Sequence, residues 1–550
     1  VSYQSNIQVL QQMVSDFFRE VHQAEIAAST VNITMISQDI AGDYSIVLFP
    51  YLKRFKTNPA DLSAALIPYL SSHGVDISEH AVIKGFLNIT MGNGVWTQQL
   101  GQMQSLGQDY CKGESTGKTV MVEYCSPNTN KPLHLGHIRN ILIGWSTAQI
   151  LEQAGNAVVK VQIVNDRGIA ICKSMLAWQK YGNQETPEST GVKGDHLVGK
   201  YYVLFETHFK TEYAQWQATH EAQTVYTDNK KENELQEHFF PRYKNQYFNN
   251  HSTLGREAKT LLQQWESGDA EVVGLWKKMN SWVYAGFDQT YDALDVSFDK
   301  LYYESDTYLY GKEVIAKGTA DKIFYTKDDG SVWVDLEDKG LDQKLLLRSD
   351  GTAVYITQDI GTAMQRHTDF GFDQLIYVVG NEQDYHFKAL FATMDKLGVP
   401  YADQLHHLSY GMVDLPTGKM KSREGTVVDA DDLVAEVIQE AQDSARESQF
   451  LADLRLSPTY HWEPREKSII IMLDHFGKVI KSAGDNLDPS LVANFVYDLA
   501  KEYHRFYNDH KILTAESPEA IQSRLLLSQQ VASTLKVGMR LLGIEMPQKM

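Results

Sequence analysis

The sequence predicts a multidomain α/β protein: a parallel-sheet central domain with a helical insertion, a small α+β domain before it and an all-α bundle after it. Three observations carry this. At 550 residues the chain is too long for one core, and roughly 150 residues per domain suggests three or four units. Near residue 119 a β-branched run passes through a Pro/Asn turn into a helical repeat and then a second apolar run, the pattern of a βαβ unit. Beyond about residue 466 the apolar spacing is helical throughout. The expected units are 1–115, 116–448 (insertion about 182–296) and 449–550.

Composition narrows the class. Hydrophobic residues at 43% and charged residues at 22% are ordinary for a soluble globular chain. No apolar run reaches about 18 residues and no signal-peptide pattern is present, so neither membrane nor secretion is expected. The cysteines Cys111, Cys125 and Cys172 lack CxxC spacing, which argues against a disulfide framework or a zinc site and for a reducing, cytoplasmic setting. A net charge of −19 argues against indiscriminate nucleic-acid binding but permits one RNA bound through local basic surfaces.

In the first unit, helices are expected over 5–21 and 61–71, and strands over 42–50 and 81–91 (AVIKGFLNITM). The stretch 113–119 (GESTGKT) is not a phosphate loop: it has three residues between its first glycine and GKT where four are needed, and it precedes a strand.

The chain is organised around 119–168. Residues 119–124 (TVMVEY) read as a buried strand, 126–132 (SPNTNKP) as a turn, and 134–154 as a helix stopped by Gly155-Asn156. Residues 157–164 (AVVKVQIV) follow as the next strand and 165–168 (NDRG) as its turn. The helix start carries His134 and His137, three apart and on one face, with Gly136 between them. Free N–H donors and a partial positive charge suit phosphate there, and Gly136 leaves room for a flat base. In an open parallel sheet, ligands bind at the carboxyl ends of the strands, where both turns fall.

His134-Leu-Gly-His137 within SPNxxKPxHxGHxR resembles the HIGH signature of class I aminoacyl-tRNA synthetases, and the longer pattern resembles the arginyl enzymes. The likeness implies a Rossmann-like catalytic domain. It is strongest over 123–139, 348–387 and 410–428. GDYxIVxFP and KGFLNI resemble the N-terminal domain that this family places against the tRNA elbow. The charged stretch from Gly182, with GDHLVGKYY at 194–202, resembles the family's connective insertion, and the lone His196 is expected to pack or face solvent. Tyr355 and Asp359, in LLLRSDGTAVYITQD, match its YxxxD element, and Gln383 follows the strand QLIYVVG at 374–380.

The resemblance implies arginine binding by Glu123, Ser126, Asn128, His137, Tyr355, Asp359 and Gln383. A guanidinium offers five donors and a fixed charge, which carboxylates and acceptor oxygens match. It implies ATP binding by His134, Gly136, His137, Met412, Val413, Lys419 and Ser422. Catalysis is expected from His134, His137, Lys131, Lys419 and Lys421. Residues 408–413 read as a short strand before the loop LPTGKMKSREG, and Lys419-Met-Lys-Ser422 resembles the KMSK signature with its last lysine replaced by Ser422. Lys131 is expected to supply the missing charge.

In the C-terminal unit, helices over 468–481, 489–509 and 518–542 resemble the family's anticodon-binding bundle. Tyr497, Tyr503, Arg505 and Tyr507 are candidates to stack on RNA bases, with packing between helices an equal alternative for each tyrosine. Between 443–448 and 449–450 no match is found for a segment that the family normally carries, which leaves divergence there or omitted residues as alternatives. The implied activity is a two-step ligase using L-arginine, ATP with Mg2+ and tRNA(Arg), with tRNA required for adenylate formation, no zinc, and a monomeric state. A ligase of another specificity and a non-catalytic RNA-binding relative are the rival readings.

Overall fold

The computed structural model describes residues 3–36, 40–412, 429–433, 456–458 and 460–546. The chain divides into two compact units, one of Val1–Gly117, Gln149–Asn156 and Arg446–Met550, the other of Lys118–Ala148 and Ala157–Ala445. Among the described residues no helix is long and apolar enough to cross a membrane.

The second unit is built on a five-stranded sheet. Its order is Leu405–Tyr410, Gln374–Gly380, Thr119–Glu123, Ala157–Val164, Lys300–Tyr303, and every neighbouring pair is parallel. Val120 to Glu123 and Leu375 to Val378 are buried, as befits strands covered on both faces. The chain runs from 119–123 outward through 157–164 to 300–303, then returns to lay 374–380 on the other side of 119–123. The strand order therefore reverses between 119–123 and 374–380, which opens a crevice at their carboxyl ends.

Between the second and third strands lie the insertion helices, among them Gly194–Gln217, Gln236–Asn250 and Ala270–Ala293. Phe209, Tyr213, Trp216 and Tyr247 stack in their interior. The buried Asp166, in the NDRG turn, ties this insertion to the sheet. Its carboxylate accepts from Tyr284 Oη (2.8 Å), Ser305 N (2.9 Å) and Ser305 Oγ (2.8 Å), and its carbonyl accepts from Trp276 Nε1 (2.6 Å). A small antiparallel sheet of Tyr325–Thr326, Val332–Val334 and Lys344–Leu347, of which only the strand near residue 345 is expected from sequence, precedes the helix Tyr355–Phe370.

In the first unit, the helix Asn6–His22 starts at a capping box made by Ser5 and Gln8. A four-stranded antiparallel sheet packs beside it. The expected single strand over 81–91 is instead two strands, Ile77–Ile83 and Phe86–Met91, joined at Lys84-Gly85. Both turn residues have positive φ (49° and 85°), a reversal that glycine makes accessible and that the apolar flanks concealed. Three long helices, Pro464–Asn486, Ser490–Asp509 and Pro518–Leu541, complete the unit. Their Leu473, Phe476 and Leu527 share one hydrophobic core with Phe17, Leu66 and Trp96, so the N- and C-terminal segments fold around common ground. Trp462 Nε1 donates to Thr97 Oγ1 at 2.9 Å across this core.

Candidate active site

The crevice holds a cavity of about 790 Å³. Ser126, Asn128, Lys131, His134, Gly136 and His137 line one side; Gly380 to Gln383, Tyr410 and Met412 line the other. These are the turn after the first strand, the following helix start, and the ends of the two neighbouring strands.

The turn is held by backbone rather than chance. Asn128 bridges Asn165 in parallel register, Thr129 N donates to Asn165 O (3.1 Å), and Asn165 Nδ2 donates to Ser126 O (3.1 Å). The helix Leu135–Gln153 begins directly after His134. His134 Nδ1 accepts from Gly136 N at 3.2 Å, and His137 Nδ1 accepts from His134 N at 3.1 Å. This is a reciprocal cap made by two imidazoles, with ring centroids 4.0 Å apart. Each Nδ1 is committed as an acceptor, so each neutral ring must carry its proton on Nε2.

Electrostatics enforce neutrality. Burial, aided by the Lys131 charge, lowers the His134 pKa to about 4. Burial, His134 and Lys131 hold His137 well below the usual imidazole range. The pair is thus a fixed set of neutral Nε2–H donors beside Lys131. Such donors suit an oxyanion on a phosphate, and the cationic Lys131 adds the charge that they lack.

Asn140, one turn further along the helix, locks the site and was not singled out from sequence. It donates to Val378 O (2.6 Å) and Tyr410 Oη (2.9 Å) while its Oδ1 accepts from Cys125 N. Cys125 adopts a left-handed backbone (φ 55°), the bend that swings Ser126 toward the cavity. A polar residue on the buried side of this helix was the available signal.

Glu123 does not line the cavity: its carboxylate is paired with the buried Arg366 and accepts from Ser126 Oγ at 3.0 Å. A buried carboxylate needs a counter-charge, and Arg366 provides it from within the chain. Arg366 lies on the buried stripe of Ile356, Ile360 and Ala363, a cue that the sequence reading passed over. Tyr355 is 77% exposed at the first turn of its helix, outside the cavity lining. Asp359, on the same helix, pairs with His386 Nε2 at 2.7 Å. Next to it sits Glu304, also missed, whose pKa rises to about 7 through burial, with Asp166 and Asp359 adding and Arg167 opposing. Its place directly after the strand 300–303 was the legible sign. Val413, Lys419, Lys421 and Ser422 lie outside the described residues. In the other unit Tyr497 and Tyr507 are exposed, Arg505 pairs with Glu502 (3.2 Å), and Tyr503 is half-buried against Phe506.

Known proteins carry the same organisation. A family model for the class I (R) tRNA synthetase catalytic domain matches residues 99–220 and 196–452. An arginyl-tRNA synthetase N-terminal domain matches 7–91, and a DALR anticodon-binding domain matches 435–550. An arginine–tRNA ligase of Bacteroides thetaiotaomicron is 42% identical over 605 residues, covering 97% of this chain and 98% of its own. That of Flavobacterium psychrophilum is 40% identical over 611 residues, covering 96% and 98%. Both alignments are longer than this 550-residue chain, so the relatives carry residues that it lacks. Among solved structures, Thermus thermophilus arginyl-tRNA synthetase superposes with a TM-score of 0.72 at 19% identity, covering 99% of this chain and 100% of that one.

Proposed function

The chain belongs to the class I arginyl-tRNA synthetase family, and on that premise we propose that it is an arginine–tRNA ligase whose ATP site is the cavity at the His134/His137 helix start. One observation carries the placement: two neutral imidazoles, each with Nδ1 bound by backbone, present Nε2–H donors beside Lys131 at the point where the strand order reverses.

In the first step the arginine carboxylate attacks the α-phosphorus of ATP, an acyl–phosphate bond forms and pyrophosphate leaves. Negative charge grows on the phosphate oxygens, and His134, His137 and Lys131 are set to receive it. Lys419 and Lys421 add mobile-side cations in this reading, Ser422 contributes a hydroxyl, and Gly136, Met412 and Val413 border the base. Asn128, Ser126 and Gln383 orient the α-amino and carboxylate ends of the amino acid. Glu304 and Asp359, with Tyr355 at the rim, receive the guanidinium. A carboxylate whose pKa is raised chiefly by burial, with Asp166 and Asp359 adding to it, gains most from a fixed cation beside it. Glu123 serves the turn through Ser126 rather than the ligand. In the second step a terminal ribose hydroxyl of the tRNA attacks the acyl carbon and AMP leaves. Glu382 is the one carboxylate lining the cavity among the described residues. Magnesium arriving with ATP would be held chiefly by the nucleotide's own phosphates, with Glu382 the carboxylate nearest to hand, and would neutralise phosphate charge.

RNA contact is assigned to both ends of the first unit. At the 84–85 turn, Phe49 and Phe86 are exposed and stack edge-to-face at 5.4 Å, with Lys84 alongside, a surface suited to unpaired bases of the tRNA elbow. Tyr497, Arg505 and Tyr507 offer a second such surface on the C-terminal helices, with Tyr503 backing it. We take the chain to act as a monomer in the cytoplasm. The test is His134→Ala: it should abolish charging of tRNA while leaving tRNA affinity intact, whereas unimpaired charging would reject the site.

A further inference from the structure

The segment Lys193 to Gly199 (KGDHLVG) takes no part in the site above, yet it is tightly engaged. We infer that Lys193, Asp195, Thr290 and Asp431 form a positioning cluster that fixes residues 429–431, the downstream end of the signature loop, against the His134 helix start. The inference rests on reading the cavity as the ATP site.

Asp431 draws donors from two insertion helices. Its Oδ2 accepts from Lys193 Nζ (2.6 Å) and faces His196 Nε2 (3.1 Å); its Oδ1 accepts from Thr290 Oγ1 (2.8 Å). Lys193 Nζ also donates to Thr290 Oγ1 (2.6 Å) and to the fully buried Asp195 (3.3 Å). Asp195, His196 and Asp431 have the ligand types of a cation site, but the ammonium of Lys193 already fills the charge role between the two carboxylates.

The same residues touch the catalytic helix start through backbone. Asp429 bridges His134 in antiparallel register, Ala430 N donates to Leu133 O (3.2 Å), and Asp429 Oδ1 accepts from Asp431 N (2.9 Å). The helix Gly194–Gln217 also seats on the preceding turn. A Cβ at Gly199 would lie 2.7 Å from Pro132 Cδ, and one at Gly286 would lie 2.3 Å from Asp195 Oδ1. One helix therefore holds both Lys131's turn and the chain that follows Lys419 and Lys421. It sets where residues 429–431 stand against the His134 helix start, a placement on which electrostatic catalysis there depends steeply.

Aminoacylation kinetics of the full chain, with tRNA present, test this for K193M, K193R, D431N and K193M/D431N. K193M and D431N should each lower kcat by about tenfold or more and raise KM for ATP, with KM for arginine within about twofold; D431N should leave melting essentially unchanged, whereas K193M, which strands the buried Asp195, should lower it. K193R should recover most of the loss, and the double variant should be no worse than either single one, as expected of one coupled contact. Normal kcat and ATP KM in K193M and D431N, failure of K193R to rescue, or multiplying losses would overturn the inference. If K193M does not fold, T290V must show the same ATP-specific direction, and an unaffected T290V overturns it equally. A parent enzyme that charges no tRNA with arginine would overturn the reading beneath it instead.

Discussion

His137 shows how a single side chain is specified by its neighbours. Its Nδ1 is spent on the His134 backbone, leaving Nε2 as the only donor. His137→Asn keeps an acceptor near the Nδ1 position but loses that donor, and should lower kcat for charging by about 10²-fold with little change in melting. His137→Gln, which carries an N–H near the Nε2 position, should lose less; equal losses would deny the Nε2 role. The low His134 pKa has a pH consequence. Folding depresses it from 6.5 to about 4, so His134 stays neutral as pH falls through the ordinary imidazole range. The rate profile should show no acid limb near 6.5 from this ring, and a limb there that disappears in His134→Gln would contradict the assignment. Arg366 makes the opposite kind of claim. Arg366→Met strands the Glu123 carboxylate and should cost about 3–5 kcal/mol in denaturant unfolding, with Glu123→Gln added to it restoring part.

Among the elements, the unit Thr119 to Val164 was the most legible, because β-branched runs, a Pro/Asn turn and a Gly-Asn stop all agree there. The 84–85 turn was not, since apolar residues on both sides mask a reversal that needs only Lys-Gly. Nor was the Glu123–Arg366 pair: both partners were visible in sequence, but they are 243 residues apart and only the parallel pairing of 374–380 with 119–123 joins their elements. Asn140 and Glu304 escaped for a similar reason, because each derives its role from several elements meeting. The helix Pro464–Asn486 gives a pH-dependent case. Its buried Asp474 accepts from Tyr3 Oη (2.6 Å) and Asn6 N (3.1 Å), and burial raises its pKa from 3.8 to about 7 despite these bonds. The folded state thus holds a proton that the unfolded state releases first, so stability is fullest at acid pH and falls as pH rises from about 4 to 7. The loss is up to about 4 kcal/mol. Asp474→Asn should flatten that slope in urea titrations at a series of pH values; a wild-type slope that the substitution leaves unchanged would exclude Asp474 as its source.

At the scale of the molecule, the chain separates its tasks. The unit built on the parallel sheet holds the cavity proposed for adenylation, and the other gathers both ends of the chain around one core and carries the surfaces proposed for RNA. That joining of the ends was not legible in sequence, where residues 1–115 and 449–550 read as independent domains with separate periodicities. With a net charge of −19, the proposed RNA recognition would have to rest on those local surfaces. Charging should accordingly weaken steeply with salt, and the substrate pocket should discriminate by unpaired carboxylates rather than by size. The most direct test is aminoacylation of total tRNA with each amino acid in turn. Charging with arginine alone is the predicted result. Charging with a different amino acid, or none by folded protein, would contradict the account.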